Sequence, residues 1–200
     1  MIVIIDYDTG NIGSIKNMIT KLGHPCNISR DIDTIRSATK LILPGVGSFD
    51  NGMKNLKKFN LIEILNQKVI KDNTPILGIC LGMQLMAQGS DEGSEKGLDW
   101  ISQHVQKVDK EKSRNTTIPI LGWNYIQVHK NNPLLQMNKQ RYYFVHSYYF
   151  PVETPNSIAT ANVGFDYCVA YKKKNIFGVQ FHPEKSHSFG KIVLENFCSL

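Results

Sequence analysis

Cys80, His182 and Glu184 have the side-chain types needed for nucleophilic acyl transfer, and each sits in a local pattern that suits the task. Cys80 stands in Gly78-Ile79-Cys80-Leu81-Gly82, where the apolar run Pro75 to Ile79 reads as a buried strand and Leu81 to Gln88 has the apolar spacing of a helix. Glycines two residues either side are what a sharp strand-to-helix turn requires, because larger side chains would collide around a residue lifted off the backbone. A thiol at a helix N-terminus meets free N–H groups and the positive end of the dipole, both of which favour the reactive thiolate. Taken alone, Cys80 is equally consistent with a small buried hydrophobe, since Gly-x-Cys-x-Gly is short enough to arise by chance.

His182 and Glu184 lie in Gln180-Phe181-His182-Pro183-Glu184 at the end of an extended segment. Residues two apart on such a segment face the same way, so the two side chains are expected to project together, with Pro183 stiffening the link. Separately, His182 reads as a satisfied, partly buried histidine and Glu184 as a surface charge. Together with a cysteine on an elbow they give nucleophile, base and orienter. Acyl transfer also needs donors for a developing oxyanion: the backbone N–H of Leu81, and a loop after a neighbouring strand. Pro44-Gly45-Val46-Gly47 is such a loop, with a plain strand-to-helix turn as the alternative.

The elements that must position these residues alternate in the first half of the chain. Strands are expected at Ile2 to Ile5, Cys26 to Ser29, Leu41 to Leu43 and Pro75 to Ile79. Helices are expected up to about Leu22, from Asp31 with that residue as cap, from about Leu61 to Ile70, and after Cys80. This order predicts an α/β fold with a central, mostly parallel sheet flanked by helices. Beyond a polar loop at Ser90 to Gly97 the pattern turns to closely spaced β segments: Val105 to Val108, Trp123 to Val128, Tyr142 to Phe150, Ser157 to Ala161, Cys168 to Tyr171 and Ile176 to Phe181. These predict hairpins and a mixed or second sheet, closed by a helix from about Ser188 to Phe197. With no linker or repeat visible, residues 1–200 are expected to form a single domain.

Composition excludes several classes. The 200 residues are 42% hydrophobic, enough for a sizeable core. No apolar run reaches membrane-span length and no leader pattern precedes the first strand, so a cytoplasmic protein without membrane contact is expected. The four cysteines, at 26, 80, 168 and 198, are scattered and indicate neither a disulfide framework nor a metal site. The net charge of +6 invites a nucleic-acid reading, but the lysines are dispersed. Their one tight run, Lys172 to Lys174, fits a solvated hairpin turn, and no nucleic-acid signature is present.

Several stretches together resemble a known family. GICLGMQ at 78–84, PGVGSF at 44–49, GWN at 122–124, FVHSY at 144–148 and QFHPEKS at 180–186 are similar to class I (triad) glutamine amidotransferases, most closely the glutaminase subunits of imidazole glycerol phosphate synthases. The likeness runs from DYDTGNIGSIKN at 6–17 to the last helix. It implies the class I amidotransferase fold and a Cys80-His182-Glu184 triad that hydrolyses L-glutamine to glutamate and ammonia. It also implies an oxyanion strand of Gly45, Val46 and Gly47, and a glutamine site of Gln84, His146, Ser147 and Tyr148.

No cofactor or metal is implied. The ammonia would pass to a (β/α)₈ cyclase partner making imidazole glycerol phosphate and AICAR in histidine biosynthesis, in a heterodimer. Asn11, Trp123 and Lys185 match positions at that interface; as plain structure, Asn11 reads as a helix cap, Trp123 as a core residue, Lys185 as a solvated charge, and His146 as a core histidine. Asp8 stands where glycine is usual in this family, Ile120-Leu121 where His-Met is common, and Gly97 to Val108 also departs from the pattern. The alternatives are a paralogous subunit serving an amidotransferase of cell-surface sugars, a γ-glutamyl peptide hydrolase, and a non-catalytic regulatory module.

Overall fold

The apolar runs of the first half become strands buried on both faces. In a computed structural model that describes residues 1–109, 117–136 and 139–200, β1 (Ile2–Ile5), β3 (Lys40–Leu43), β4 (Ile76–Ile79) and β12 (Ile176–Val179) are almost wholly shielded from solvent. With β2 (Cys26–Ser29) they form a parallel sheet in the order β2-β1-β3-β4-β12. Continuous hydrophobic strands of this kind require cover on both sides. Two apolar cores supply it: Leu77 and Ile79 of β4 belong to one, and Ile76 to the other.

Five helices alternate with these strands: α1 (Ile12–Lys21), α2 (Ile32–Ser37), α3 (Phe49–Lys58), α4 (Leu61–Asn66), which continues as a π-helical turn through Lys71, and α5 (Leu81–Leu85). Asp31 caps α2, its side chain accepting from the Thr34 N–H at 2.8 Å. Helix α3 is not among the elements expected from sequence. Its buried face of Phe49, Met53 and Leu56 has helical spacing, but Gly52 and two asparagines break the run in sequence; Gly52 lies against Leu85, where no larger residue fits easily.

Of the mixed or second sheet expected for the second half, the mixed one is found: its strands continue the first sheet. β11 (Asp166–Lys173) pairs antiparallel with β12, and the path continues through β10 (Ser157–Asn162) and β7 (Ile120–Val128) to β8 (Gln140–His146). Lys174 and Asn175 make the turn between β11 and β12, so the lysine run is a hairpin end. Tyr142 to Phe150 is two strands rather than one. The chain bends at Ser147, leaves β7, and becomes β9 (Tyr148–Pro151), which pairs with β11 and with β6 (His104–Lys107). β5 (Gly89–Ser90) pairs with β6, and α6 (His187–Cys198) closes the chain. No helix among the described residues is long and apolar enough to cross a membrane.

Asp8, where the resemblance leads glycine to be expected, has φ 62°, in the left-handed region that glycine adopts without strain. Aspartate is among the residues that tolerate this conformation, and Arg30 holds it, with Nη2 2.6 Å from both Asp8 Oδ1 and Asp6 Oδ2.

Candidate active site

Three neighbouring parallel strands deliver the site from their carboxyl ends. β3 runs into Pro44–Gly47, β4 into Cys80, and β12 toward His182. Leu43 is in register with Gly78, and Ile79 with Val179. Ligand sites in open α/β sheets form at this edge because the connecting loops diverge there.

Cys80 has φ 53° and ψ −111°, a conformation unusual for any residue but glycine. Both of its peptides are fixed: its N–H donates to Val179 O at 2.8 Å and its carbonyl accepts from the Gln84 N–H at 3.2 Å. The flanking glycines are needed for close approach. A Cβ on Gly82 would lie 1.8 Å from Leu43 O, and one on Gly78 would lie 2.8 Å from the Met83 backbone. The turn is therefore held by β3, β12 and its own helix together.

His182 and Glu184 meet by a route the sequence reading did not anticipate. The extended segment ends before them, and Pro183–Lys185 form a single 3-10 turn. That turn brings Glu184 Oε1 to 2.8 Å from His182 Nδ1, with both side chains 1% exposed. Burial opposes a charge on His182, but its interactions with Cys80 and Glu184 outweigh burial and push its pKa up to about 10. His182 Nε2 and Glu184 Oε2 are buried without a hydrogen-bond partner among the described residues. The Tyr143 carbonyl accepts from the His182 N–H at 2.9 Å, and Ser186 Oγ bridges the two residues by accepting from Tyr143 N–H and donating to His182 O.

A cavity of about 250 Å³ opens beside the sulfur, lined by Val46, Gly47, Cys80, Leu81, Gln84, Glu92, Pro119, His182 and the segment Val145 to Tyr148. It is smaller than the roughly 300–1,000 Å³ typical of drug-sized ligands and suits a single small metabolite. His146, Ser147 and Tyr148 lie together on it because the chain bends between β8 and β9. The His146 Nδ1–H donates to Tyr148 O at 2.9 Å, and burial pushes the pKa of His146 down to about 4, so the ring is neutral at physiological pH. Gln84 also lines the cavity, but its amide nitrogen donates to Tyr148 O and Gln180 Oε1, both at 3.0 Å. Gly45 does not line it. It lies beneath the elbow, where a Cβ would meet Tyr7 Oη, Leu81 Cβ and Gly82 N within 2.9 Å. Val46 and Gly47 are exposed at the rim, Gly47 with φ 99°.

Three residues that carry no expected role in the sequence belong to this region. Glu92 brings a carboxylate to the cavity, where Oε2 accepts from the Phe49 N–H at 2.8 Å and burial raises its pKa. Its only sequence signal is an acid within a polar loop. Tyr7, fully buried, donates from its hydroxyl to Pro44 O, one peptide before the Gly45-Val46-Gly47 segment. Gln180, also fully buried, places Nε2 3.6 Å from Cys80 Sγ. Among the described residues, no group of three or more His, Cys, Asp and Glu could hold a metal ion.

Asn11, Trp123 and Lys185 lie outside the cavity. Asn11 precedes α1 without a side-chain capping bond. Trp123 is 40% exposed rather than part of the core, and it contacts Tyr143 edge-on and stacks on His187. Lys185 Nζ sits 5.6 Å from the Tyr143 ring centroid. Leu121, Trp123 and Tyr125 alternate along β7 as an exposed apolar stripe, with Arg141 and Lys139 over the two aromatic rings.

A parallel sheet that ends in a cysteine elbow, with a histidine–carboxylate pair on the neighbouring strand end, defines the class I glutamine amidotransferase architecture. Solved structures agree on the fold: one described as a glutamine amidotransferase superimposes with TM-score 0.76 over 99% of both chains at 15% identity. The glutaminase domain of the CTPS of Trypanosoma brucei does so at 0.65, over 99% of this chain and 90% of that one, at 15% identity. The sequence pattern of the family Glutamine amidotransferase class-I matches residues 3–199, and the chain belongs to that family. Within it, the chain is 51% identical over 200 residues to imidazole glycerol phosphate synthase subunit HisH 2 of Methanococcus maripaludis, spanning 98% of each chain. It is 42% identical to the protein of the same name in Pseudomonas aeruginosa over the full length of both.

Proposed function

We propose that the chain is the glutaminase subunit of an imidazole glycerol phosphate synthase, acting in the cytoplasm as one glutamine amidotransferase domain. In this reading it releases ammonia from L-glutamine for a cyclase-type (β/α)₈ partner in histidine biosynthesis. The observation that carries the chemistry is Cys80 on a strained elbow, next to a buried His182–Glu184 pair and a small cavity holding one carboxylate.

Glu92 supplies the negative charge that an α-ammonium group seeks, and the neutral His146 lines the same cavity with Ser147 and Tyr148. The Cys80 thiolate attacks the side-chain carboxamide carbon, while backbone N–H groups of Leu81 and of the Val46–Gly47 segment stabilise the oxyanion. His182 donates its Nε2 proton to the departing nitrogen, so ammonia leaves and a γ-glutamyl thioester remains. Water then attacks the thioester carbon, His182 takes a proton from it, and the carbon–sulfur bond breaks to release glutamate and regenerate the Cys80 thiolate beside a protonated His182. Glu184 holds the imidazole through Nδ1 and stabilises its charged form. Asn11, Trp123, Lys185 and the β7 stripe form the face that receives the partner.

The test is labelling with diazo-oxo-norleucine, an electrophilic glutamine analogue, followed by peptide mapping. Modification at Cys80 is expected. Cys26 and Cys168 face backbone carbonyls, and burial pushes each thiol up to about 11. Label on these cysteines or on Cys198, with Cys80 untouched, would overturn the assignment.

A further inference from the structure

We infer that Gln180 is a catalytic residue whose side-chain amide N–H donates to the Cys80 sulfur and stabilises it as the thiolate. This deepens the glutaminase reading and rests on it. Gln180 is fully buried, one residue beyond the end of β12, and its backbone N–H donates to Val169 O at 2.9 Å, which fixes the base of the side chain.

The amide can face the sulfur in only one sense. Tyr148 O accepts from both the His146 Nδ1–H and Gln84 Nε2, which forces the Gln84 NH₂ group toward that carbonyl. The same NH₂ donates to Gln180 Oε1 at 3.0 Å, so the Gln180 NH₂ must turn the other way, to within 3.6 Å of Sγ. Rotating the Gln180 amide by half a turn would set two NH₂ groups against each other and leave buried donors without acceptors, which is costly. The polarity of the chain from Tyr148 O through Gln84 to Gln180 thus ends in a donor at the nucleophile.

On another side the sulfur faces Val145 O at 3.9 Å, an acceptor that suits the protonated thiol. Gln180 opposes that preference: N–H donors stabilise the anion more strongly than the neutral thiol, a charge-assisted bond being about twice as strong as a neutral one. The donor adds to the imidazolium of His182 without exchanging a proton, so it acts in every ionisation state of the histidine. It also links the nucleophile to the β8–β9 bend that lines the cavity.

The experiment compares wild type with Gln180→Met, which removes the amide, and with the near-isosteric Gln180→Glu, which keeps an acceptor for Gln84 and sets oxygen against sulfur. Iodoacetamide alkylation of Cys80 is followed at neutral pH and at pH ~10. The variants should react at least about tenfold more slowly at neutral pH, the factor that a hydrogen bond to a charged group carries, and approach the wild-type rate at high pH. Glutamine turnover with partner should fall by a similar factor.

Equal alkylation and turnover in the variants overturn the role of Gln180 while leaving the glutaminase reading intact. Failure of wild-type Cys80 to react with diazo-oxo-norleucine overturns that reading itself. If neither variant folds, the side-chain amide resonances of Gln180 in the labelled wild-type chain decide. They should follow the pH dependence of alkylation and lose it in Cys80→Ala, and resonances indifferent to both exclude the bond.

Discussion

His182 Nδ1 and Glu184 Oε1 lie 2.8 Å apart in a 3-10 turn that buries both side chains. The pair is local in sequence, yet Cys80 lies 102 residues before His182, so the turn fixes the histidine and the sheet supplies its target. Glu184→Gln keeps a hydrogen-bonding group at the ring but removes the stabilising negative charge. Turnover should fall about 10²–10⁴-fold, by analogy with serine triads, while glutamine affinity changes little. Steady-state kinetics with the partner present, alongside glutamine binding by calorimetry, separates the two. An unchanged turnover number would make Glu184 a structural residue only.

Two buried histidines should shape stability against pH in opposite directions. His182 is raised from near 6.5 to about 10, so the folded state binds a proton the unfolded chain has lost; this stabilisation is complete below about 6.5 and disappears as pH rises through 10. His146 is lowered from near 6.5 to about 4, so stability is lost as pH falls through that interval, where the unfolded chain takes up the proton first. Denaturant unfolding from pH 4 to 10 should therefore peak near neutrality. Glu184→Gln should weaken the alkaline limb and leave the acid limb in place.

Tyr7→Phe should loosen the segment 45–47, proposed above to hold the oxyanion. The hydroxyl that donates to Pro44 O is buried, and its loss leaves that carbonyl short of a donor, at a cost of about 1–3 kcal/mol. Turnover with partner should fall more than glutamine affinity, because the peptide after Pro44 leads into Val46 and Gly47. A variant of wild-type stability and rate would show that the loop is held without the tyrosine.

Gly82→Ala places a methyl group 1.8 Å from the Leu43 carbonyl oxygen, and its three nearest contacts are all backbone atoms of Leu43 and Pro44, with no flexible side chain to yield. A loss above about 4 kcal/mol, or failure to fold, is expected. Gly23→Ala serves as the contrasting case: its Cβ meets nothing, and only its left-handed φ of 89° resists the change. Chemical denaturation of the two variants measures the difference.

Coupling to the partner is expected through the oxyanion segment. One oxyanion donor is worth about 2.7–4 kcal/mol, so the chain alone should bind glutamine yet hydrolyse it roughly 10²–10³-fold more slowly than the complex. Trp123→Ala, at the centre of the exposed β7 stripe, should weaken partner binding by about 2 kcal/mol or more. Glutaminase assays with and without the cyclase-type subunit, and titration of Trp123→Ala with it, are the measurements. Full activity in the chain alone would favour a stand-alone hydrolase.

The sequence by itself determined each local piece, because each rests on contacts between near neighbours. The alternation of apolar runs with helical spacing announced four of the five parallel strands, β12 having been expected among the hairpins. The glycines around Cys80 announced the elbow, Asp31 the cap of α2, and Lys172 to Lys174 a hairpin end. What it left open depends on partners far along the chain. Only the parallel register of β3, β4 and β12 sets Pro44–Gly47, Cys80 and His182 side by side, since strand pairing is chosen by the packing of whole faces rather than by neighbours. The extended geometry expected for His182 and Glu184 gave way to a 3-10 turn, where Ser186 and the Tyr143 backbone hold both ends. Helix α3 became legible only once Phe49, Met53 and Leu56 had a core to face. Tyr7, Glu92 and Gln180 carry no signal of their own in sequence; tertiary structure gives them roles by burying a hydroxyl, a carboxylate and an amide against a carbonyl, a cavity and a sulfur, where polar groups need specific partners.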